Sequence, residues 1–191
     1  MLDWKEKNPS YRHKIFSEKS AAQYLTSKNL VDSLRAFRLS KHPAQKADIF
    51  RLAFLFLEGG IYIDADDACG GDLNNVIPED ARFIGYQEFF GSVGNNFLVA
   101  EPGNEIIGQA LEGATATILS GAAESTWLST GPGLLSRAFA SIAFERRSMH
   151  LRPGYYLTER WELLPIVLMH RNVDYRSSAK NWIWHQEQRT V

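Results

Sequence analysis

Two aspartates separated by a single residue are the strongest candidates for chemistry in this chain of 191 residues. Asp64 and Asp66 follow an apolar triplet at 61–63, and Asp67 extends the acidic cluster. Mg²⁺ and Mn²⁺ prefer oxygen ligands, and a protein usually supplies one or two carboxylates while substrate phosphates complete the octahedron. On an extended backbone, side chains two residues apart point the same way, so these carboxylates would converge on one ion. The pair therefore predicts a site for Mn²⁺ or Mg²⁺, and the bound cation would in turn bind a diphosphate.

The acidic pair alone is weak evidence, because most Asp-rich tripeptides are solvated loops. Its context favours the metal, since two negative groups at the end of an apolar strand repel each other and lose hydration, which a bound cation relieves. A calcium-binding loop that begins at Asp64 is excluded by Ala68 and Asn75, which stand where an oxygen ligand and an acidic residue are needed.

The elements around the cluster are predicted from hydrophobic spacing. Residues 44–60 form a helix that is apolar on nearly all sides and stops at a glycine pair. Residues 61–63 then form a short buried strand. The acidic cluster would therefore lie beyond the carboxyl end of a strand, where ligands of open α/β sheets bind.

Asp48 and Arg51 are the polar exceptions in this helix and share one face. Two interpretations stay open. The pair is a structural ion pair, or a helix cap by Asp48, or it contacts a donor sugar, with the carboxylate accepting sugar hydroxyls and the guanidinium approaching sugar or phosphate oxygens. Tyr62 points away from its two neighbours and fits core filling equally well.

The rest of the chain alternates helical and strand patterns, which is typical of an α/β protein. Strands are predicted at 13–16, 83–86, 96–100, 155–157 and 182–184, and helices at 20–39, 106–114 and 134–144. Asn29 is placed to divide the first of these helices in two. The segment 130–133 is either a plain turn before a helix or a source of backbone amides for an anion or an acceptor.

Composition limits the class of protein. With 45% hydrophobic residues, residues 1–191 are predicted to form a single domain. The net charge of -1, with no long run of either sign, gives no case for nucleic acid as a partner. Cys69 is the only cysteine, which excludes disulfide scaffolds within the chain and favours a reducing compartment. The charged start does not resemble a signal peptide, and the apolar stretch 49–57 is well short of the ~20 residues of a membrane span. We therefore expect a cytoplasmic protein, at most associated peripherally with the inner face of the membrane.

The stretch 46–66 resembles the signature of the DXD sugar-binding glycosyltransferase family. It joins the Asp48-x-x-Arg51 helix, the glycine pair, Tyr62 and both aspartates at matching spacing. That family includes bacterial capsular and lipopolysaccharide sugar transferases, the fungal initiating α-1,6-mannosyltransferase and, more distantly, the large glucosylating toxins. Looser resemblance at 4–11 and 129–135 extends over most of the chain.

This resemblance implies an α/β fold of the GT-A type, in which a Rossmann-like, nucleotide-binding mixed sheet is flanked by helices and carries the DXD loop at its edge. By the same resemblance, the donor sugar nucleotide would be bound by Asp48, Arg51, Tyr62 and Asp64. Asp64 and Asp66 would engage the metal and the ribose or diphosphate. Catalysis would then depend on Asp48, Arg51, Asp64 and Asp66.

The sequence also departs from the family pattern. His185 takes the position of a histidine near the metal and phosphates and is the third candidate metal ligand, although a structural strand explains it equally well. Thr190-Val191 stands where relatives carry a serine-tryptophan pair. The usual first strand, upstream of Trp4, is lacking from this sequence, which predicts a truncated chain or a base pocket that is built differently. Asn104 replaces a histidine of many relatives.

The leading hypothesis is the metal-dependent transfer of a hexose from a UDP- or GDP-hexose to a saccharide or glycolipid acceptor, with retention of configuration and without a protein nucleophile. The setting would be bacterial polysaccharide biosynthesis. The alternative is a catalytically silent domain that binds a sugar nucleotide, a glycan or a partner protein. A phosphatase that uses the first aspartate as nucleophile is disfavoured, because Asp67-Ala68-Cys69 follows where that chemistry needs Gly-Thr.

Overall fold

A four-stranded mixed sheet forms the centre of the protein, which the computed structural model describes over residues 2–122, 124–145 and 153–169. The described strands are β1 (Gly60–Ile63), β2 (Ala68–Cys69), β3 (Phe83–Gln87), β4 (Phe97–Ala100), β5 (Tyr155–Glu159) and β6 (Val167–Leu168). The described helices are α1 (Leu2–Lys7), α2 (Glu18–Ser27), α3 (Val31–Leu39), α4 (Pro43–Glu58), α5 (Glu105–Ser120), α6 (Thr126–Ser129), α7 (Pro132–Glu145) and α8 (Arg160–Leu163), with a 3₁₀ turn at Leu73–Asn75.

The central sheet has the strand order β1-β4-β3-β5. Strand β4 runs antiparallel to both β1 and β3, whereas β3 and β5 are parallel. Strands β1, β3 and β5 therefore point in the same direction, and their carboxyl ends lie at one edge of the sheet. A separate antiparallel pair joins β2 to β6.

Apolar residues cover both faces of the sheet, because side chains alternate along each strand. Phe83 packs with the larger cluster, which helices α2, α3, α4, α5 and α7 supply, and Ile84 packs with the smaller one on the opposite face. The smaller cluster contains Trp4, Cys69 and Leu163, from α1, β2 and α8. Helices thus flank the mixed sheet, and the predicted α/β class is confirmed.

Helix α4 forms for reasons that are visible in its sequence. Pro43 occupies the first turn, where its missing N–H costs nothing, and Gln45 Oε1 accepts the backbone N–H groups of Lys41 and His42 at 3.1 and 3.3 Å. Gly59 ends the helix with φ of 65°, a conformation that favours glycine. The chain then enters β1 directly, so α4 and β1 are held in a fixed relation.

The other predicted elements are confirmed in place, with longer bounds for α5 and α7 than the pattern indicated. Asn29, with φ of 55°, lies between α2 and α3 and divides the predicted helix 20–39 in two. The strand predicted at 13–16 is wrong: this segment pairs with no strand among the described residues, because Phe16 instead packs its ring against Phe50 and Phe54. The strand predicted at 182–184 lies outside the described residues.

Strand β1 is half-buried at the edge of the sheet, not fully buried as its apolar sequence indicated. Edge position explains the difference, since only one side of the strand is covered by a neighbour. Across the described part of the chain, no helix combines the length and apolar character that a membrane crossing requires. That residues 1–191 form one domain stays a prediction.

Candidate functional site

Arg51 connects helix α4 to the acidic cluster. Both Asp48 and Arg51 are 4% exposed, and Arg51 Nη2 lies 3.1 Å from Asp48 Oδ1 and 3.2 Å from Asp64 Oδ1. One guanidinium thus pairs with two carboxylates from different elements. The ion pair that the sequence left open is present, and it is part of a larger network and not an isolated contact.

Two residues outside the helix complete the environment of Asp48. Asn95, in the loop before β4, donates from Nδ2 to Asp48 Oδ1 at 2.9 Å, and the Thr130 hydroxyl donates to Asp48 Oδ2 at 2.7 Å. Arg51 Nη1 in turn donates to the carbonyl of Asn95. Asp48 lies inside α4 and does not cap it. Sequence reasoning missed Asn95, and it considered the segment 130–133 only for its backbone.

Tyr62 also belongs to this network. Its hydroxyl donates to Asp64 Oδ1 at 2.8 Å, and the Arg51 Cζ atom lies 4.3 Å from the centre of its ring, in a cation–π contact. The ring packs against the larger core cluster. Tyr62 therefore both fills the core and orients two charged groups.

The acidic cluster adopts a tight turn. The backbone N–H of Asp67 donates to the carbonyl of Asp64 at 3.1 Å, and the N–H of Asp64 donates to the carbonyl of Asn96 at 2.9 Å. The extended backbone that we expected to align Asp64 with Asp66 is therefore wrong, because the chain reverses direction immediately after β1. Asp66 is 7% exposed, whereas the side chain of Asp64 is 28% exposed.

The turn is held from two distant segments. Asn96 Nδ2 donates to Asp67 Oδ2 at 2.5 Å, and the same Asn96 accepts the hydroxyl of Tyr86 on β3. Trp4 Nε1 donates to the carbonyl of Asp67 at 3.1 Å. Asn96 and Trp4 thus fix the turn through contacts distant in sequence, which no local pattern could indicate.

Charge and burial act together on the buried groups. Burial raises the pKa of Asp48 to about 6, and Asp64 adds to the rise, although Arg51 and the hydrogen bond from Thr130 oppose it. Burial by itself would lower the pKa of Arg51, but Asp64, Tyr62 and Asp48 outweigh it and the pKa is raised. Burial also holds the pKa of Tyr62 well above its usual value. Arg51 therefore stays charged, and Tyr62 stays a hydrogen-bond donor.

The turn offers hard oxygen donors, which suit Mg²⁺ or Mn²⁺. Among the residues that the structure describes, no three His, Cys, Asp or Glu side chains are grouped so as to hold a metal by themselves. A cation carried by Asp64 and Asp66 would therefore depend on oxygens from a bound diphosphate, which fits the preference of Mg²⁺ for mixed protein and phosphate ligands. His185 lies outside the described residues.

Asn104, which stands where the sequence suggested a histidine in relatives, has a structural role here. Its Oδ1 accepts from the backbone N–H groups of Ile106 and Ile107 at 3.1 and 3.3 Å, so it caps α5. Its Nδ2 donates to the Tyr155 hydroxyl at 3.1 Å. Asn104 therefore joins α5 to β5.

Comparison with known proteins gives a consistent result. Residues 1–83 match the model of the family described as "Glycosyltransferase sugar-binding region containing DXD motif". The chain is 34% identical over 65 residues to the initiation-specific alpha-1,6-mannosyltransferase of Candida albicans, which covers 33% of this chain and 17% of that protein. It is 35% identical over 83 residues to the Schizosaccharomyces pombe protein of the same name, which covers 41% of this chain and 21% of that protein.

The chain thus spans about a fifth of the length of these fungal relatives. Among solved structures, the PaToxG glycosyltransferase is similar with a TM-score of 0.46 and 22% identity, over 65% of this chain and 40% of that one. The setting in bacterial polysaccharide biosynthesis stays a prediction. The resemblance of residues 46–66 is confirmed: residues 1–83, which include this stretch, match the model of the glycosyltransferase sugar-binding region that contains the DXD motif.

Proposed function

We propose that this chain transfers a hexose from a nucleotide-diphosphate sugar to a saccharide acceptor, with a divalent cation and with retention of configuration in a GT-A type site. The observation that carries the proposal is the Arg51 guanidinium, which joins Asp48 of α4 to Asp64 of the acidic turn. Residues of a sugar-binding helix and a candidate metal-binding turn are thereby preassembled in one network. The family match over residues 1–83 supports this use of the network.

Asp48 and Arg51 would orient the donor sugar. Asn95 and Thr130 fix the two carboxylate oxygens of Asp48. Oδ1 also pairs with Arg51, so the acceptor capacity that remains for a sugar hydroxyl is on Oδ2. Arg51 brings a charge that persists at every physiological pH, which suits contacts with sugar or phosphate oxygens. Groups that are already held in place lose little entropy when they position a substrate.

Asp64 and Asp66 would hold the Mn²⁺ or Mg²⁺ ion. The ion would stabilise the negative charge that grows on the departing diphosphate. Tyr62 and Arg51 keep Asp64 oriented, while Asn96 and Trp4 fix the backbone of the turn that presents Asp66. Because both fungal relatives are named as mannosyltransferases, mannose is the first hexose to test.

The decisive variant is Asp66→Asn, with Asp72→Asn as its matched control. Asp72 lies close by in sequence and is exposed, and its side chain caps a short 3₁₀ turn, a role that asparagine also performs. Hydrolysis and transfer would be measured with UDP- and GDP-hexoses, GDP-mannose included, with and without Mn²⁺. We expect Asp66→Asn to lose on the order of 10²-fold or more of the Mn²⁺-dependent turnover, and Asp72→Asn to keep it.

Circular dichroism would verify that both variants keep the fold. Unchanged turnover of Asp66→Asn in the presence of metal would contradict the assignment of this carboxylate. Wild-type protein that binds the nucleotide sugar but shows no cleavage with any donor or metal would instead support the catalytically silent domain.

A further inference from the structure

The carboxyl ends of β3 and β5 surround an open hollow of about 480 Å³ that the proposed donor site does not use. We call it the aromatic hollow. Its lining includes Gln87, Glu88, Phe89, Glu159, Arg160 and Trp161. These residues come from two places in the sequence, the end of β3 and the start of α8, which the parallel pairing of β3 and β5 brings together.

Large aromatic side chains are unusually exposed here. Trp161 is 69% exposed and Phe89 is 88% exposed, and Phe90 beside it is 93% exposed. The rings of Phe89 and Phe90 meet edge to face, with centroids 5.6 Å apart. Trp161 therefore does not pack in the core. The exposed rings of Phe89 and Phe90, in the turn after β3, and of Trp161, in α8, favour this surface as a place of ligand contact, since single exposed apolar residues are common but clusters are not.

Polar groups at the hollow narrow the class of ligand. Glu88 and Glu159 bring carboxylates, and Gln87 adds an amide. Arg160 places a guanidinium there, whose buried Nε has no hydrogen-bond partner among the described residues. The two carboxylates outnumber the single guanidinium, so the net negative charge of the hollow disfavours a phosphate as its ligand. Aromatic rings beside carboxylate, amide and guanidinium groups suit a neutral polyhydroxyl compound, whose C–H faces stack on rings while its hydroxyls donate and accept.

The hollow lies at the same edge of the sheet as the acidic turn. Strands β1, β3 and β5 all end there, β1 immediately before Asp64 and the other two at the hollow. Tyr86, one residue before Gln87, donates to Asn96, and Asn96 donates to Asp67 of the turn. Two hydrogen bonds therefore connect the strand that supplies the hollow to the candidate metal site.

We propose that the aromatic hollow binds the saccharide acceptor, an inference that rests on the proposed function. Trp161 provides the stacking platform for one sugar ring. Glu88 is held by the Ser92 hydroxyl, which donates to its Oε2 at 2.5 Å, and it accepts a sugar hydroxyl with its remaining capacity. Arg160 donates to sugar oxygens and thereby satisfies its buried Nε.

The test compares the wild-type protein with Trp161→Ala and the conservative Trp161→Phe. Val31→Ala is the control, because Val31 is an apolar residue of α3 that is 66% exposed and does not line the hollow. The probes are α-linked mannotriose, maltotriose and cellotriose, titrated by saturation-transfer NMR. GDP and UDP with Mn²⁺ are titrated separately by calorimetry. Since the ring is largely exposed, its replacement leaves the fold intact.

We expect at least one trisaccharide to bind, and we expect Trp161→Ala to raise its Kd about tenfold. Trp161→Phe and Val31→Ala should bind the trisaccharide nearly as tightly as the wild type. Nucleotide affinity should be unchanged in all variants. Equal trisaccharide binding by wild type and Trp161→Ala, or no binding of any trisaccharide to the wild type, would overturn the proposal. So would a dimer that Trp161→Ala dissociates in sedimentation, because the ring would then face a second copy. Failure of the proposed function is distinguishable, since it appears as absent Mn²⁺-dependent nucleotide binding while trisaccharides still bind.

Discussion

Arg51 is the residue on which the candidate site depends most. Its planar guanidinium reaches Asp48, Asp64 and the carbonyl of Asn95 at once, which the single ammonium group of lysine cannot reproduce with the same geometry. The sequence predicted that Asp48 and Arg51 share a helix face, and it left open whether they form an ion pair or contact a donor sugar. It could not indicate Asn95 or Thr130, because these contacts span 47 and 82 residues of chain and depend on tertiary packing.

The raised pKa of Asp48 gives a pH-dependent contribution to stability. A carboxyl group whose pKa rises from 3.8 to about 6 on folding binds its proton more tightly in the folded state. The stabilisation of the folded state by the protonated Asp48 is therefore fully present below about pH 3.8. It is lost as the pH rises through about 6, an effect on the order of 3 kcal/mol on the free energy of unfolding. We expect the free energy of unfolding of metal-free wild type to fall across this window relative to Asp48→Asn.

Urea titrations at several pH values, with a chelator present, would measure this difference. Asp48→Asn serves as the reference because its amide does not titrate, so the difference between the two profiles isolates the carboxyl group. Parallel profiles from pH 4 to pH 6 would show that the folded environment does not shift the pKa of Asp48.

Thr130→Val tests the hydrogen bond to Asp48. Valine keeps the shape of threonine but removes the hydroxyl, which leaves Asp48 Oδ2 without its donor and costs about 1–3 kcal/mol. Thr115→Val is the matched control, because the Thr115 hydroxyl is buried without a partner among the described residues and its loss should be neutral or stabilising. Chemical denaturation would measure the free energy of unfolding of both variants. Equal changes in the two would show that the Thr130 hydroxyl does not stabilise the fold.

At the scale of elements, hydrophobic periodicity was enough to predict a helix or strand correctly where the apolar segment is long. Helix α4 and strand β1 were predicted within two residues, because a nearly all-apolar segment that stops at a glycine pair has few alternatives. The turn at 64–67 was not predicted. Its conformation depends on Asn96, which immediately precedes β4, and on Trp4 of α1. These tertiary contacts override the extended continuation of β1.

The two glycines between α4 and β1 differ in a way that mutation can measure. Both have positive φ, 65° at Gly59 and 102° at Gly60, so alanine is strained at either position by roughly 1–3 kcal/mol. A Cβ at Gly59 would also lie 2.7 Å from Pro102 Cδ and 2.8 Å from the carbonyl oxygen of Ala100, whereas at Gly60 it meets nothing within 4 Å. We expect Gly59→Ala to be less stable than Gly60→Ala by a further ~1–3 kcal/mol.

Equilibrium unfolding in urea, fitted with one slope of free energy against urea concentration for both variants, would give the free energy of unfolding of each. A Gly60→Ala variant at least as unstable as Gly59→Ala would indicate that backbone strain, and not the close approach to β4 and Pro102, decides this junction.

At the scale of the whole molecule, the first residues of the chain clamp the segment that follows the acidic turn. Asn8 is 1% exposed; its Nδ2 donates to Cys69 Sγ and to the carbonyl of Gly71, both at 3.3 Å, and its Oδ1 accepts from the N–H of Leu73 at 2.8 Å. In the sequence, only the loose family resemblance at 4–11 pointed to this region. Contacts across more than 60 residues explain why no local pattern could place it.

Asn8→Ala should remove the hydrogen bonds that hold the segment 69–73 in place. The thiol of Cys69 then reports local opening of this segment. The thiol is 3% exposed and burial raises its pKa, so labelling by a thiol reagent in the native protein requires local opening. We expect Asn8→Ala to accelerate labelling at least about tenfold. Tyr11→Phe, which removes only an exposed hydrogen bond to Asn74, is the control and should label at the wild-type rate. Equal rates for Asn8→Ala and wild type would mean that Asn8 does not close the segment.

Helix α4 supplies both the central core and the charged pair of the candidate site. Replacing a buried ion pair by well-packed apolar side chains of similar volume is often neutral or stabilising. The protein therefore contains a trade-off within a single helix: a variant selected only for heat resistance could exchange Asp48 and Arg51 for hydrophobic residues and gain stability. Under the proposed function, such a variant would resist heat but lose the groups that orient the donor sugar. Thermal tolerance is therefore the wrong criterion for judging which residues of α4 matter.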